Sequence, residues 1–465
     1  MNDKFRTTTM IVYVFLFIFS HVSCNNDLSI LTQTTLSTTS VTCNQENKNR
    51  SGLIDDCNCR FDDINDINNK KLYPILKILV KKNYFRFYPI NLKKQCQFWI
   101  DDSKCVLKDC AVKSCPVDQL PETLRHNKNH HEYVKHRQES TTSECSSNNN
   151  DKNSSLGELN KNLSDEHKQT IEKWIQFDDS LLDNFCDIDD ETSADVEYID
   201  LLLNKERYTG YSGQSTKRIW TAIYNENCFF MSGSKVYYNL RQKRQNIKDL
   251  CLEGRIFYRL ISGLHSSISI HLCSNYFFPG YLGLSDHWGP NTQEFSRRFD
   301  PKQTEDEGPL WLKNLYFIYL IELRALDKAI PYLEQVAYFT GNETDDEDTK
   351  NLLKNQLFNE IRKFANHFNE THLFKDNEQL RYEFKEHFRN ISRIMDCVGC
   401  DKCKIWGKLQ IQALGTALKI LFNRKEIHAF QLQRSEIVSL INGFAQLSYS
   451  IDQLEKTFKP FINIS

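Results

Sequence analysis

After residue 24, no apolar run in this chain of 465 residues is long enough to cross a bilayer. A membrane helix needs roughly 20 apolar residues. The amino-terminal run from Met10 to Phe19 falls short of that, and "LYFIYLIELRAL" from Leu315 is interrupted by Glu322 and Arg324. Charge of one sign is lacking too. The formal net charge is −2, with no basic patch interleaved with aromatics, which excludes a nucleic-acid partner. There is no Gly-x-Gly-x-x-Gly after a strand, so a Rossmann dinucleotide site is excluded. Few segments alternate with period two and no β-branched run is framed by hairpin turns, which argues against a sandwich or barrel. No internal repeat is found, and no Lys-Asp-Glu-Leu-type ending explains how the chain would be retained in a compartment.

What is present begins at the amino terminus. Lys4 and Arg6, the apolar run, then His21-Val22-Ser23-Cys24 have the order of parts of a secretory signal peptide, assigned to residues 1–24. The expectation is a chain that enters the secretory pathway and is soluble once cleaved. Seven Asn-x-Ser/Thr sequons, at Asn49, Asn153, Asn162, Asn342, Asn369, Asn390 and Asn463, fit a glycoprotein. Sixteen cysteines in an oxidising compartment argue for disulfides. With 40% hydrophobic residues a chain this long builds a core without staples, so some cysteines are free to work.

The chain divides into a cysteine-rich segment (25–121), a polar stretch nearly free of aliphatic residues (122–165) and a helical remainder (166–465). The polar stretch cannot bury enough apolar surface to be rigid and reads as a mobile loop, its "HNKNHHEYVKH" solvated rather than metal-binding. Helical phasing is clearest in "IWGKLQIQALGTALKILF", where Ile405, Leu409, Ala413 and Ala417 form a stripe widened by Leu414, Leu418 and Leu421. Similar patterns cover Leu315 to Leu333, Asn351 to Phe364, Leu380 to Ile394 and Ser435 to Phe458. The expected fold is mainly α: one large helical domain with an irregular cysteine-rich cap and a mobile loop.

Two cysteine clusters stand out. In "MDCVGCDKCK", Cys397, Cys400 and Cys403 sit three apart at the head of a helix. A Cys-x-x-Cys pair at a helix start favours a readily exchanged thiolate, because unpaired amides and the macrodipole stabilise it. Lys402 and Lys404 act in the same direction. Zinc or an iron–sulfur cluster would need a fourth soft ligand, so redox chemistry is preferred and no metal is expected. The second cluster, Cys96, Cys105, Cys110 and Cys115, lies in "CQFWIDDSKCVLKDCAVKSC", either as loop staples or as a second, mobile dithiol that relays electrons by exchange. Net disulfide formation also needs an electron sink. "RYTGYSGQSTKRIW", "RLISGLHSSISIH" and "EFSRRFD" gather arginines, hydroxyls and rings suited to a pyrophosphate and a heterocycle, although an arginine beside aromatics is commonly just a packing pair.

From about Cys57 onward, "DDCNC", "CQFW", "KDCAVKSCP", "YIDLLLNKERYTGYSG", "IYNENCF", "FYRLISGLHSSISIHL", "LYFIYLIELRALDKAIPYL", "FRNISRIMDCVGCDKC" and "WGKLQIQALGTALKILF" resemble the endoplasmic oxidoreductin family of flavin-dependent thiol oxidases. The resemblance implies a luminal enzyme of the endoplasmic reticulum, with peripheral association at the luminal membrane face left open. It would reoxidise protein disulfide isomerase and pass electrons through FAD to dioxygen, giving hydrogen peroxide. It makes residues 166–465 an FAD-binding catalytic domain, residues 25–121 the carrier of a shuttle disulfide, and residues 122–165 a regulatory loop. Carried over by position, Cys400 and Cys403 are the flavin-proximal pair and Cys105 and Cys110 the shuttle pair. Arg207, Thr209, Trp220, Ser262, His265 and Arg298 contact FAD. Cys96 with Cys397 and Cys228 with Cys251 are structural bridges, while Cys105 with Cys145 and Cys110 with Cys115 are the down-regulated pairings.

The sequence departs from the family pattern at Trp311, where a second phosphate-binding arginine is expected and only Lys313 is near. Cys24, Cys43, Cys57 and Cys59 have no settled pairing, and Cys186 and Cys273 read as buried free thiols. Two other classes stay open on residues alone: a disulfide-rich binding protein without a catalytic cysteine, and a metal protein using Cys397, Cys400 and Cys403.

Overall fold

Four long helices carry the core in the computed structural model, which describes residues 52–53, 61–99, 105, 107–125, 184–191, 193–227, 252–280, 285–364, 368–370, 373–374, 378–422 and 432–462. The signal segment, the 122–165 loop beyond residue 125, and Cys145, Cys228 and Cys251 lie outside the described residues. In chain order the longer elements are α1 (Phe61–Ile67), α2 (Tyr73–Leu79), α3 (Asn83–Arg86), α4 (Gln214–Asn225), α5 (Leu252–Ser274), α6 (Thr292–Phe299) and α7 (Glu307–Leu333). They continue with α8 (Glu343–Asn351), α9 (Phe358–Phe364), α10 (Glu378–Ile394), α11 (Asp401–Phe422) and α12 (Arg434–Gln453). Helix α5 packs on α7, α7 on α11 and α12, and α12 closes the bundle against α5 and α11.

Helix α11 is more deeply enclosed than its apolar stripe suggests. Every residue from Ile405 to Phe422 except Gly407 is buried, which is the behaviour of a helix with no solvent face. The buried cations and glutamines of that stretch therefore find partners inside the protein. Lys408 reaches Asp396 at 2.6 Å and Asp189 at 2.9 Å, Lys419 reaches Glu436 at 2.8 Å, and Gln412 accepts from the Tyr88 hydroxyl at 2.6 Å.

Close helix crossings demand glycine. A Cβ on Gly443 of α12 would lie 2.2 Å from that of Ala413 on α11, and one on Gly263 of α5 would lie 2.3 Å from the backbone oxygen of Asn314 on α7. No L side chain fits either place without separating the helices.

Part of the cysteine-rich cap is helical rather than irregular. From Phe61 to Leu79 the chain runs α1, a π turn (Asn68–Leu72) and α2. Ile64, Asn68, Leu72, Leu76 and Leu79 recur at helical spacing and are buried. The acidic "DDINDI" falls in the cap expected to be irregular because its carboxylates mask that phase. These helices belong to the same core as α12: Asn68 donates to the Ser448 carbonyl at 2.8 Å and Asn442 to that of Phe85 at 2.9 Å. Conversely, residues 184–213, expected to be helical, hold turns and one strand.

Three small ribbons complete the described residues. β1 (Gly52–Leu53) pairs in parallel with β6 (Phe368–Asn369), β2 (Phe87–Ile90) is antiparallel to β3 (Glu197–Asp200), and β4 (Tyr276–Phe278) is antiparallel to β5 (His287–Gly289). The β2–β3 pair fixes the start of the segment that leads into the site.

Replacing Gly443 with Ala should overpack the α11–α12 crossing and lower stability by about 1–3 kcal/mol. A denaturant midpoint indistinguishable from the parent's would show that the helices part freely there.

Candidate redox site

Cys400 stands immediately before α11. Its carbonyl accepts the first helical hydrogen bond from Lys404 at 2.8 Å, and its Sγ accepts from the Cys403 amide at 3.2 Å. The two cysteines are disulfide-bonded, with Cα atoms 5.2 Å apart, at the helix terminus where the orphan amides favour negative charge on sulfur. Cys400 is fully buried, whereas Cys403 is partly exposed. The Thr209 hydroxyl lies 3.3 Å from Sγ of Cys403, and the Tyr211 hydroxyl accepts from the Gly399 amide at 3.2 Å. A second disulfide, Cys96–Cys397, ties the preceding turn to the cap. It uses the sulfur that a metal site built on Cys397, Cys400 and Cys403 would require.

A third disulfide, Cys105–Cys110, is docked against this turn. The Cys105 amide donates to the Gly399 carbonyl at 2.8 Å, placing one pair beside the other. Between the two cysteines, Asp109 pairs with Arg207 at 3.1 Å, and Leu107 covers Gly210 so closely that a Cβ there would meet its Cδ1 at 2.5 Å. Gly210 has φ +84°, so the turn needs glycine for its backbone as well as for space. Beyond Cys110, Asn204 holds Lys113 by both backbone groups, at 2.7 and 2.9 Å. Cys115 is unpaired and partly exposed, so Cys110 is joined to Cys105 here and not to Cys115. Cys186 and Cys273 are buried and unpaired, and burial pushes the Cys273 thiol up to about 12.

Cys403 opens onto a cavity with about 910 Å³ of free space, part of it open to solvent. Arg207, Thr209, Trp220, Lys402 and Trp406 line it with Cys403. Three of the six residues expected to contact a flavin are thus on the wall. His265 lies behind the wall, stacked on Trp220 with centroids 3.7 Å apart and interplanar angle 12°. Its Nδ1 is 3.2 Å from the Tyr224 hydroxyl. Burial, assisted by the nearby Arg298 charge, lowers His265 to about 3, so the ring is neutral. Arg298 is held by Glu294 at 2.7 Å and donates to Ser269 at 3.0 Å. Ser262 does not reach the wall: it is buried in the α5–α7 crossing, where its hydroxyl accepts from Asn314 at 3.0 Å. Trp311, in the place of the expected arginine, is partly buried, and Lys313 beside it is exposed.

Comparison with known proteins identifies this arrangement. A family model described as Endoplasmic Reticulum Oxidoreductin 1 matches residues 71–454. The chain belongs to that family. It is 45% identical to the Ero1-like protein of Drosophila melanogaster over 430 residues, covering 87% of this chain and 88% of the relative. Identity to the human ERO1-like protein alpha is also 45%, covering 87% and 90% of the two chains. Among solved structures, that of S. cerevisiae Ero1p with two cysteines changed to alanine aligns at a TM-score of 0.54 and 28% identity, covering 86% of this chain and 98% of that one. Membership makes the chain a thiol oxidase of oxidative protein folding in the endoplasmic reticulum, and it agrees with the mainly helical fold. Among the described residues, no helix is long and apolar enough to cross a membrane.

Residues that sequence reasoning passed over are Asp109, Glu206, His271 and Gln410. Each lies inside or beside a quoted motif, but nothing in the local pattern says that Glu206 turns toward the cavity or that the others pair with residues of its wall.

Asp109→Asn removes the charge that pairs with Arg207. Such partly exposed pairs contribute about 0–1 kcal/mol, so global stability should hardly change while hydrogen exchange at the Cys105 amide quickens several-fold. Unchanged exchange would mean that the pair does not hold the docked loop. Nitrogen NMR of His265 should show a neutral ring at every pH down to about 4; protonation near its ordinary value would contradict its burial.

Proposed function

We propose that the chain reoxidises protein disulfide isomerase in the lumen of the endoplasmic reticulum, using Cys105–Cys110 as the outer pair and Cys400–Cys403 as the inner pair. The observation that carries this reading is the hydrogen bond from the Cys105 amide to the Gly399 carbonyl, which holds two vicinal disulfides side by side. A thiolate attacking one sulfur of a disulfide needs no other machinery, so electrons can move once a reduced sulfur of one pair reaches the other. The outer pair rides on a short segment that can be lifted to meet a protein, whereas the inner pair is built into the end of a buried helix.

The residues at the cavity fit a bound FAD. On the wall, Trp220 offers a flat ring face and Arg207 a cation for phosphate, while His265 backs Trp220 and Arg298, held by Glu294, would have to turn toward the ligand to join them. Ser262 takes no part in this reading unless Asn314 releases it. Bound there, the flavin would accept two electrons from the thiol pair and pass them to dioxygen, giving hydrogen peroxide. Thr209 is suited to hold the Cys403 sulfur in register, since its hydroxyl can donate to a thiolate. Cys115 stands free and partly exposed five residues after Cys110, so it is available for the regulatory pairing that the family resemblance implies, with Cys145 as the partner of Cys105.

Cys403→Ala should leave the protein yellow but abolish oxygen uptake with any thiol substrate; surviving uptake would remove the residue from the reaction. Cys105→Ala or Cys110→Ala should stop oxidation of a protein disulfide isomerase while sparing turnover with a small dithiol. Equal loss with both substrates would show that the outer pair is not a relay. A colourless purified protein that takes up no flavin would overturn the whole reading.

A further inference from the structure

Glu206 lines the same cavity as Cys403 and is not used by any step above. Its side chain is 7% exposed, with Oε1 accepting from Nε2 of Gln410 at 2.9 Å and Oε2 lying 3.4 Å from Nδ1 of His271. His271, 3% exposed, places Nε2 3.0 Å from the backbone oxygen of Gln446. A carbonyl oxygen only accepts, so Nε2 carries the hydrogen and Nδ1 of the neutral ring is a lone pair. A lone pair facing Oε2 is favourable when Oε2 bears a proton. Burial acts in the same sense on both groups, raising Glu206 to about 8 and lowering His271 to about 4. The geometry suits a carboxyl that keeps its proton: Oε2 faces a lone pair and has no hydrogen-bond partner, at the edge of the redox cavity.

We infer that Glu206, oriented by Gln410 and His271, is the proton donor and acceptor of the Cys400–Cys403 pair. The inference rests on the thiol-oxidase reading above. The shuttle loop abuts the Cys400 side, at Gly399, while Cys403 faces the cavity. When an incoming thiolate attacks Sγ of Cys400, a new S–S bond forms, the Cys400–Cys403 bond breaks, and its electron pair stays on Cys403 as a thiolate. Glu206 then gives its proton to that sulfur: an O–H bond breaks, an S–H bond forms, and the carboxylate remains. After the second thiolate of the incoming pair resolves the mixed disulfide and frees Cys400, transfer of two electrons to the acceptor of the thiol-oxidase reading re-forms the Cys400–Cys403 bond, and the proton on Cys403 returns to Glu206.

One proton and one negative charge are thus shared between sulfur and carboxyl. The match is suitable because a general acid works best when its affinity for the proton is close to that of its partner, here a thiol of ordinary value near 8.5. The titratable groups that face Glu206 are His271 from α5 and Tyr449 from α12. Lys402 and Arg207 are cations on the wall of the same cavity as Cys403.

The test uses the full chain with its flavin. Reduction of the inner disulfide by dithiothreitol is followed by alkylation of Cys403 from pH 6 to pH 9.5, in the parent and in Glu206→Gln, whose amide keeps the shape but holds no titratable proton. At pH 6 to 7 the variant should reduce about 10²-fold more slowly. The two rates should converge above pH 9, where the thiolate product persists without a donor. Equal slowing at every pH, or none, would overturn the assignment. If the variant does not fold, infrared difference spectra of the parent decide: a neutral carboxyl band must vanish when the inner pair is reduced, and its persistence would overturn the inference. An inner disulfide in the parent that dithiothreitol never reduces would defeat the thiol-oxidase reading itself, whereas identical profiles in parent and variant defeat only the role of Glu206.

Discussion

Exchange between a reduced cysteine pair and a disulfide requires a thiolate of one to come into line with the S–S bond of the other, and the chain brings its two pairs together by bonding backbone to backbone. The Cys105 amide is held on the Gly399 carbonyl, so the pair that follows Cys105 and the pair that follows Gly399 share one small volume. The Cys96–Cys397 bridge makes that contact durable. It spans a sequence separation of 301 residues and leaves only a short tether on each side. In the unfolded chain such a link removes a large loop entropy, and in the folded one it limits how far the outer pair can travel.

The inner pair is fixed by the helix it caps. Helix α11 has no solvent face, and its Lys408 is held between Asp396 and Asp189, with Asp396 beside the bridging Cys397. Buried ion pairs of this kind add little net stability because desolvation opposes the attraction, but losing one partner would strand a charge. They fix position. The turn carrying Cys400 is therefore bound from behind by ions, from below by the Tyr211 hydroxyl, and from the side by a disulfide. The outer pair has fewer anchors: an ion pair at partial exposure, one hydrogen bond, the packing of Leu107 on Gly210 and the burial of Cys110, with Cys105 only partly covered. This difference in anchoring is what a relay between a fixed and a travelling site requires.

Much of this was legible in the residues. The Cys-x-x-Cys at a helix start, the cysteine-rich "CQFWIDDSKCVLKDCAVKSC" and the long apolar phasing of α11 each follow from local chemistry, and the family resemblance rests on the words that carry them. Misread were the places where one signal hid another. The acidic residues of "DDINDI" concealed the phase of Ile64, Leu72 and Leu76, while residues 184–213 look helical only because their neighbours are. Ser262 sits in a motif with His265 yet turns into the α5–α7 crossing, because Gly263 brings Asn314 close enough to bind it.

The sequence alone determined the class of chemistry and the helical architecture, since cysteine spacing, compartment and apolar period are local properties written along the chain. Tertiary structure alone decided which side chains line the cavity and which stand behind them. Glu206, His271 and Gln410 come from three separate elements, and Asp109 meets Arg207 across the docked loop. Proton affinity and hydrogen-bond role depend on burial and on what stands opposite, and neither exists until helices α5, α11 and α12 have closed around the same space.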